Sequence, residues 1–205
     1  YRLIRRGEVR INKKRCKPEK KLQVGDQLRI PPYTGTESRE VAKLNPGLRD
    51  FLLDNILYED EQVLVINKPS GLAVHGGSGI RLGLIEALRQ IKPDWKQLEL
   101  AHRIDRDTSG CVVVCKNSIC LKHIQREFKA KTINKPYLAL VHGSWPKEIK
   151  AVDAPLEKSE VKEGEKVFRV NESGKPSYTA FTPKEYFDGA TLMEARPETG
   201  RTHQI

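Results

Sequence analysis

Residues 101–110 read Ala-His-Arg-Ile-Asp-Arg-Asp-Thr-Ser-Gly, which crowds His102, Arg103, Asp105, Arg106 and Asp107 into one short segment. The apolar run Cys111-Val112-Val113-Val114-Cys115 follows at once. Charges at the mouth of a buried strand are costly unless they pair or do chemistry. A carboxylate such as Asp105, set among cations, can serve as a nucleophile or a base. The plain alternative is a solvated turn with internal ion pairs. Asp105 and Asp107 also suggest the carboxylate pair of a hydrolase, but two positions apart on a tight loop they need not face one site. Asp107, Thr108 and Ser109 are read as fixing the loop through hydrogen bonds, with Gly110 relieving the backbone. Ser70, Ser78 and Ser144 lie in no Gly-x-Ser-x-Gly elbow, so a serine hydrolase is unsupported. His75, His102, His123, His142 and His203 show no metal-ligand spacing. His102 and His203 are read as scaffolding.

Such a loop needs a rigid frame. Val63-Leu64-Val65-Ile66 reads as a short buried strand and Tyr137-Leu138-Ala139-Leu140-Val141 as another. Leu84, Ile85, Leu88 and Ile91 recur at helical spacing, and Pro93 ends that helix. Asn117-Ser118 supplies an N-cap for a helix with Cys120, Leu121, Ile124 and Phe128 on one face. Phe187-Asp188-Gly189-Ala190 predicts a type I′ turn joining strands near residues 177–182 and 190–196. Hairpins interspersed with helices indicate an α+β domain over residues 55–205, built on a mixed, largely antiparallel sheet. Pro31-Pro32, Gly35 and Asn45-Pro46-Gly47 argue against packed structure, so residues 33–54 are read as a linker.

Charge is distributed unevenly along the 205 residues. Residues 1–30 hold eleven Lys/Arg against Glu8, Glu19 and Asp26, which places +8 of the net +10 in the first seventh of the chain. A basic block beside a near-neutral domain suggests a module that binds a polyanion. Within it Val9 and Ile11 alternate with charged residues as in a half-buried strand, and Gly25-Asp26 is a turn signal before Leu28 and Ile30. With 38% hydrophobic and 31% charged residues the core is modest. No run of 18 apolar residues occurs, so no spanning helix is expected. Cys16, Cys111, Cys115 and Cys120 form no Cys-x-x-Cys and are read as reduced thiols of a cytoplasmic protein.

The order of residues carries more than their types. His102-Arg103-Ile104-Asp105, followed by Thr108-Ser109-Gly110, resembles the catalytic loop of the RluA family of RNA pseudouridine synthases. Lys68-Pro69-Ser70-Gly71-Leu72-Ala73-Val74-His75 is similar to that family's early Lys-Pro-x-Gly-x-x-x-His segment. Lys135-Pro136-Tyr137 resembles the segment supplying an active-site tyrosine, and Gly200-Arg201-Thr202-His203-Gln204-Ile205 the final Gly-Arg-x-His-Gln-Ile segment. Residues 1–32 resemble the C-terminal part of an S4 RNA-binding domain. By this resemblance the first module is expected to be incomplete at its start, and the catalytic domain at its end.

The resemblance implies a reaction and a set of residues. The N1–C1′ bond of a uridine breaks, the uracil turns, and C5 bonds to C1′; atoms are conserved, so no cofactor, metal or nucleotide is implied. Asp105 matches the catalytic aspartate, Arg201 the arginine set against it, and Tyr137 the tyrosine that stacks on the target uracil. Without that context a core aromatic in a strand is the simpler reading of Tyr137. Arg103 is expected to occupy the space left by the flipped nucleotide. Arg5, Arg6, Arg10, Lys13, Lys14 and Arg15 are the expected contacts to RNA phosphates. The substrate implied is large-subunit ribosomal RNA, bound by a monomer away from membranes. The alternative is a non-catalytic RNA-binding protein of ribosome assembly that keeps a synthase-like domain.

Overall fold

A computed structural model describes residues 2–32, 42–77, 80–95, 97–160 and 166–205. Contacts divide the chain into two compact units, Tyr1–Val41 and Ala42–Ile205. The first holds a short helix α1 (Arg2–Arg5) and three two-residue strands, β1 (Arg10–Ile11), β2 (Lys14–Arg15) and β3 (Leu28–Arg29), in the order β2-β1-β3. Gly7 ends α1. Its φ of +72° lets its N–H reach the Ile4 carbonyl while the Glu8 N–H reaches that of Leu3, both at 2.9 Å. That is the glycine-capped ending which satisfies last-turn carbonyls. A Cβ on Gly7 would sit 2.4 Å from Arg15 Nε, so the missing side chain also makes room for that guanidinium.

The second unit begins with α2 (Pro46–Asp54), β4 (Ile56–Glu59), β5 (Val63–Lys68), α3 (Leu84–Ile91), β6 (Glu99–Leu100), β7 (Gly110–Cys115) and α4 (Ser118–Ala130). The strands pair antiparallel in the order β4-β5-β7-β6. Alternation along β5 and β7 sorts the side chains between two faces. Leu64, Ile66, Val112 and Val114 join Leu52 of α2 and Leu84 and Leu88 of α3 in the main core, all less than 2% exposed. Cys115 on the other face packs with Cys120 of α4, against Val63, Val113, Leu121, Ile124 and Phe128. Each fully buried Leu, Ile or Val contributes roughly 1.5–3 kcal/mol relative to exposure.

The chain continues through β8 (Tyr137–His142), β9 (Ala151–Asp153), β10 (Leu156–Glu160), β11 (Lys166–Val170), β12 (Tyr178–Phe187) and β13 (Ala190–Pro197). A second sheet has the order β8-β13-β12-β9, and β10 pairs with β11 alone. Every strand pairing among the described residues is antiparallel, in keeping with the α+β class. The helix expected after Asn117 is α4, and Asn117 Oδ1 accepts the Cys120 N–H at 2.8 Å as its cap.

Two expectations need correction. The stretch read as a linker contains α2: Asn45 Oδ1 caps the Leu48 N–H at 2.7 Å, Pro46 occupies the first turn, and Leu52 is wholly buried. Asn-Pro-Gly reads as a breaker, but a polar cap followed by proline also starts a helix. At the β12–β13 hairpin only Gly189 has positive φ (+74°), so the turn is not type I′, which needs a left-handed Asp188 as well. Confining the left-handed conformation to glycine avoids a steric cost on aspartate.

Candidate active site

β6 and β7 are antiparallel neighbours, with Glu99 opposite Cys115 and Leu100 opposite Val114. Residues 101–109 must therefore reverse direction at the end of the first sheet, and they are the charged segment. The loop's root is tied to β7 by the Ala101 N–H, which donates to the Val113 carbonyl at 3.0 Å. The Val113 N–H in turn donates to His102 Nε2 at 3.0 Å. An imidazole accepting there is neutral, with its proton on Nδ1. The ring rests on Phe128 of α4, 4.8 Å between centres.

Burial, and then the positive charge of Lys135, push the His102 pKa down from 6.5 to about 4. At neutral pH the residue is uncharged in both folded and unfolded chains and has no effect on the balance. As pH falls from about 6.5 towards 4, the unfolded chain takes up a proton that the folded one refuses, so stability is lost across that window. The gap corresponds to roughly 3 kcal/mol. His102→Asn is expected to flatten the acid-side decline in melting temperature between about pH 7 and 4.5. A decline as steep as in the wild type would refute this account.

A buried lysine organises the other end of the loop. The inward alternation of Leu64 and Ile66 along β5 continues to Lys68, which is 0% exposed. Its ammonium donates to the carbonyls of Pro69 (2.8 Å), Leu72 (2.7 Å) and Arg106 (2.9 Å). All three of its protons are thereby used. Burial lowers the Lys68 pKa, and the charges of Asp107 and Asp105 oppose that shift. Around it the Gly71 N–H donates to the Arg106 carbonyl at 2.9 Å, Arg106 Nε to the Gly71 carbonyl at 3.2 Å, and Ser70 Oγ to the Asp107 carbonyl at 2.8 Å. Residues 69–72 thus clamp the backbone on the far side of Asp105.

Asp105 stands between these two anchors with its side chain 29% exposed. One carboxylate oxygen accepts the backbone N–H of His203 at 2.9 Å, and the other lies 3.8 Å from a terminal nitrogen of Arg103. Tyr137, at the start of β8, packs against the main core. Burial first, and then the charge of Asp105, raise its pKa, so it is a protonated phenol at neutral pH. The structure therefore brings Asp105, Arg103, Tyr137 and the 199–204 segment to one place.

Three details depart from expectation. The cation paired with Asp105 is Arg103, while Arg201 Nε donates to the Pro176 carbonyl at 2.9 Å; no ion pair joins Arg201 to Asp105 among the described residues. What reaches the carboxylate from the last segment is a backbone N–H. The Asp107 side chain is 83% exposed and only 3.7 Å from Arg106 Nε, so the loop is held through the Asp107 carbonyl rather than its carboxylate. Gly110 does carry a positive φ, +119°.

Residues 62–205 match the family of RNA pseudouridylate synthases, and residues 1–28 match the S4 domain. The chain belongs to the RNA pseudouridylate synthase family. It is 51% identical over 207 residues to ribosomal large subunit pseudouridine synthase C of Escherichia coli K12, covering 100% of this chain and 65% of that protein. The protein of that name from Pasteurella multocida is 52% identical, with 100% and 63% covered. The chain thus spans slightly less than two thirds of the length of these relatives. Among solved structures, human RNA pseudouridylate synthase domain containing 4 aligns with a TM-score of 0.62 at 26% identity, covering 77% of this chain and 64% of that one. Human RNA pseudouridylate synthase domain containing 1 aligns with a TM-score of 0.63 at 26% identity, covering 78% and 65%.

In the S4 unit of this chain, Arg5, Arg6, Lys13, Lys14 and Arg15 are exposed, and Arg10 is half-buried with its Nε on the Gly7 carbonyl at 3.2 Å. Asn12 and Lys13 both have positive φ (48° and 65°) at the tip between β1 and β2. Asn12 holds that tip by donating to Asp26 (2.7 Å) and accepting from the Gln27 N–H (2.9 Å). Lys14, Arg15, Lys17 and Lys20 line one concavity of about 660 Å³. In the synthase unit Lys68 is the residue that sequence reasoning left without a role. Its signal was present: it continues the alternation of Leu64 and Ile66 into a position that must be buried.

Proposed function

We propose that this chain converts specific uridines of large-subunit ribosomal RNA to pseudouridine, with Asp105 as the reacting carboxylate. The observation that carries the reading is the setting of Asp105: one carboxylate oxygen takes the His203 N–H, the other lies beside the Arg103 guanidinium, and 29% of the side chain is open to solvent. The names of the bacterial relatives supply the substrate class.

The chemistry needs few parts. The target nucleotide leaves its stack at a cost of a few kcal/mol, which contacts to the emptied space must offset. Arg103 is 63% exposed beside Asp105 and can enter that space or meet a phosphate. Asp105 acts at the sugar–base junction while the N1–C1′ bond breaks and C5 bonds to C1′; the proton leaving C5 is balanced by one gained at N1. The protonated phenol of Tyr137 supplies a flat face for the uracil. Arg201, tied to Pro176 through Nε, keeps its terminal nitrogens for negative charge when RNA is bound. Because atoms are conserved, the reaction calls for no redox group, metal or nucleotide. No helix among the described residues is long and apolar enough to cross a membrane. A ribosomal RNA substrate would place the protein in the cytoplasm, and one copy of the chain carries every residue the reaction uses.

Arg5, Arg6, Arg10, Lys13, Lys14 and Arg15 would bind RNA by displacing counterions from phosphates. If all six engage single-stranded RNA, log affinity falls against log salt with a slope near −4. Replacing Lys13, Lys14 and Arg15 by Gln should reduce that slope by about 2 in filter-binding titrations. A slope unchanged by the triple substitution would remove this surface from the interface. The function itself is tested by incubating the full chain with unmodified ribosomal RNA and mapping pseudouridine by nucleoside mass spectrometry. Wild-type protein is expected to form it, and a preparation that binds this RNA but forms none would overturn the catalytic reading.

A further inference from the structure

Resting on the proposed reaction, we infer that Gln204 is a positioning residue: its side-chain amide locks the turn at 199–204 so that the His203 backbone N–H is delivered to the Asp105 carboxylate. The amide uses its full bonding capacity. Gln204 Oε1 accepts from the Arg201 N–H (2.9 Å) and from Thr199 Oγ1 (2.9 Å). Gln204 Nε2 donates to the Tyr178 carbonyl (3.0 Å) and to Thr179 Oγ1 (2.9 Å). The backbone partners fix the amide's orientation, because an N–H must find the oxygen and a carbonyl must find the nitrogen. One side chain thus staples its own turn to β12, where Thr179 is 3% exposed and immobile in the packing. A further bond, from the Tyr178 N–H to Thr199 Oγ1 (3.1 Å), ties the start of the turn to the same strand.

The lock has work to do because the turn is strained. His203 has a φ of +54°, a conformation that non-glycine residues avoid. In that conformation its N–H lies 2.9 Å from Asp105 Oδ2, across 98 residues of chain. Released, residue 203 would relax towards negative φ and its N–H would turn off the carboxylate. Non-glycine residues in sparsely populated backbone regions persist only where surrounding contacts over-determine them. The imidazole is exposed, with an edge contact to Phe168 (5.6 Å between ring centres), so the backbone group is the part of His203 that faces the reacting atom.

The test is single-turnover kinetics of the full chain on unmodified ribosomal RNA, with RNA affinity and melting temperature measured alongside. Gln204→Ala is expected to lower the rate constant about tenfold while RNA affinity stays within about twofold. Adding His203→Gly to Gln204→Ala is expected to recover much of that loss, because glycine accepts positive φ without the lock. Gln204→Glu keeps both acceptor contacts but sets a carboxylate oxygen against the Tyr178 carbonyl, so it should lose rate as Gln204→Ala does; it carries the comparison if the alanine variant does not fold. An unchanged rate in Gln204→Ala, a loss seen only as weaker RNA binding, or a double variant slower than the single one would each overturn the inference. Pseudouridine formed by the wild type in the same assay separates these failures from failure of the parent reaction, which would show as no product at all.

Discussion

Asp105→Asn is expected to reduce pseudouridine formation at least about 10⁴-fold, the scale on which loss of a reacting side chain is felt. The substitution changes charge and almost nothing else. An asparagine carbonyl can still accept the His203 N–H, and the side chain keeps its volume, so the melting temperature should hold. RNA affinity should hold or rise, because a negative charge is removed from a surface that receives phosphates. Measured together, rate, affinity and melting separate a chemical role from a structural one. Product formed at the wild-type rate would end the assignment, and a collapse of melting temperature would make Asp105 a folding residue.

The second large effect is expected at Lys68. Lys68→Met keeps the apolar stem and removes the ammonium, leaving the carbonyls of Pro69, Leu72 and Arg106 without that partner in a site shut off from water. Each unsatisfied buried acceptor costs about 1–3 kcal/mol, and breaking a buried charged network costs about 3–5 kcal/mol in all. Urea unfolding should show a loss of that size, with activity falling further because residues 105–107 lose their anchor. Lys131→Met is the control. Lys131 and Glu198 are 59% and 58% exposed at 3.4 Å, and such pairs contribute under about 1 kcal/mol. Equal losses at the two lysines would show that the buried ammonium has no special role.

Much of the frame was legible in the chain. Helices α3 and α4 follow from apolar spacing with Pro93 and Asn117 at their ends, and β5, β7 and β8 from short aliphatic runs. These signals are local, carried by neighbours a few positions apart. Helix α2 was missed because Asn45-Pro46-Gly47 serves equally as a breaker or as a capped start, and only the burial of Leu52 against the core decides between them. Asp188-Gly189 marks the place of a turn and leaves its type open, because a residue pair permits more than one turn and the strand pairing selects among them.

Residue order and composition alone carry the family, the two-part organisation and the basic character of residues 1–30, and they nominate Asp105, Tyr137 and Arg201 as candidate site residues. They can do so because residue order in four short segments carries that information without reference to distance. Which groups meet Asp105 depends on the packed fold: Arg103 rather than Arg201 as the paired cation, and the His203 N–H from 98 residues away. Packing also gives Lys68, which the sequence reading names in a motif without a role, its place as the anchor of the loop. Partners of this kind are set by backbone direction and burial, which emerge only when distant strands pack and leave each polar atom to find what is within reach.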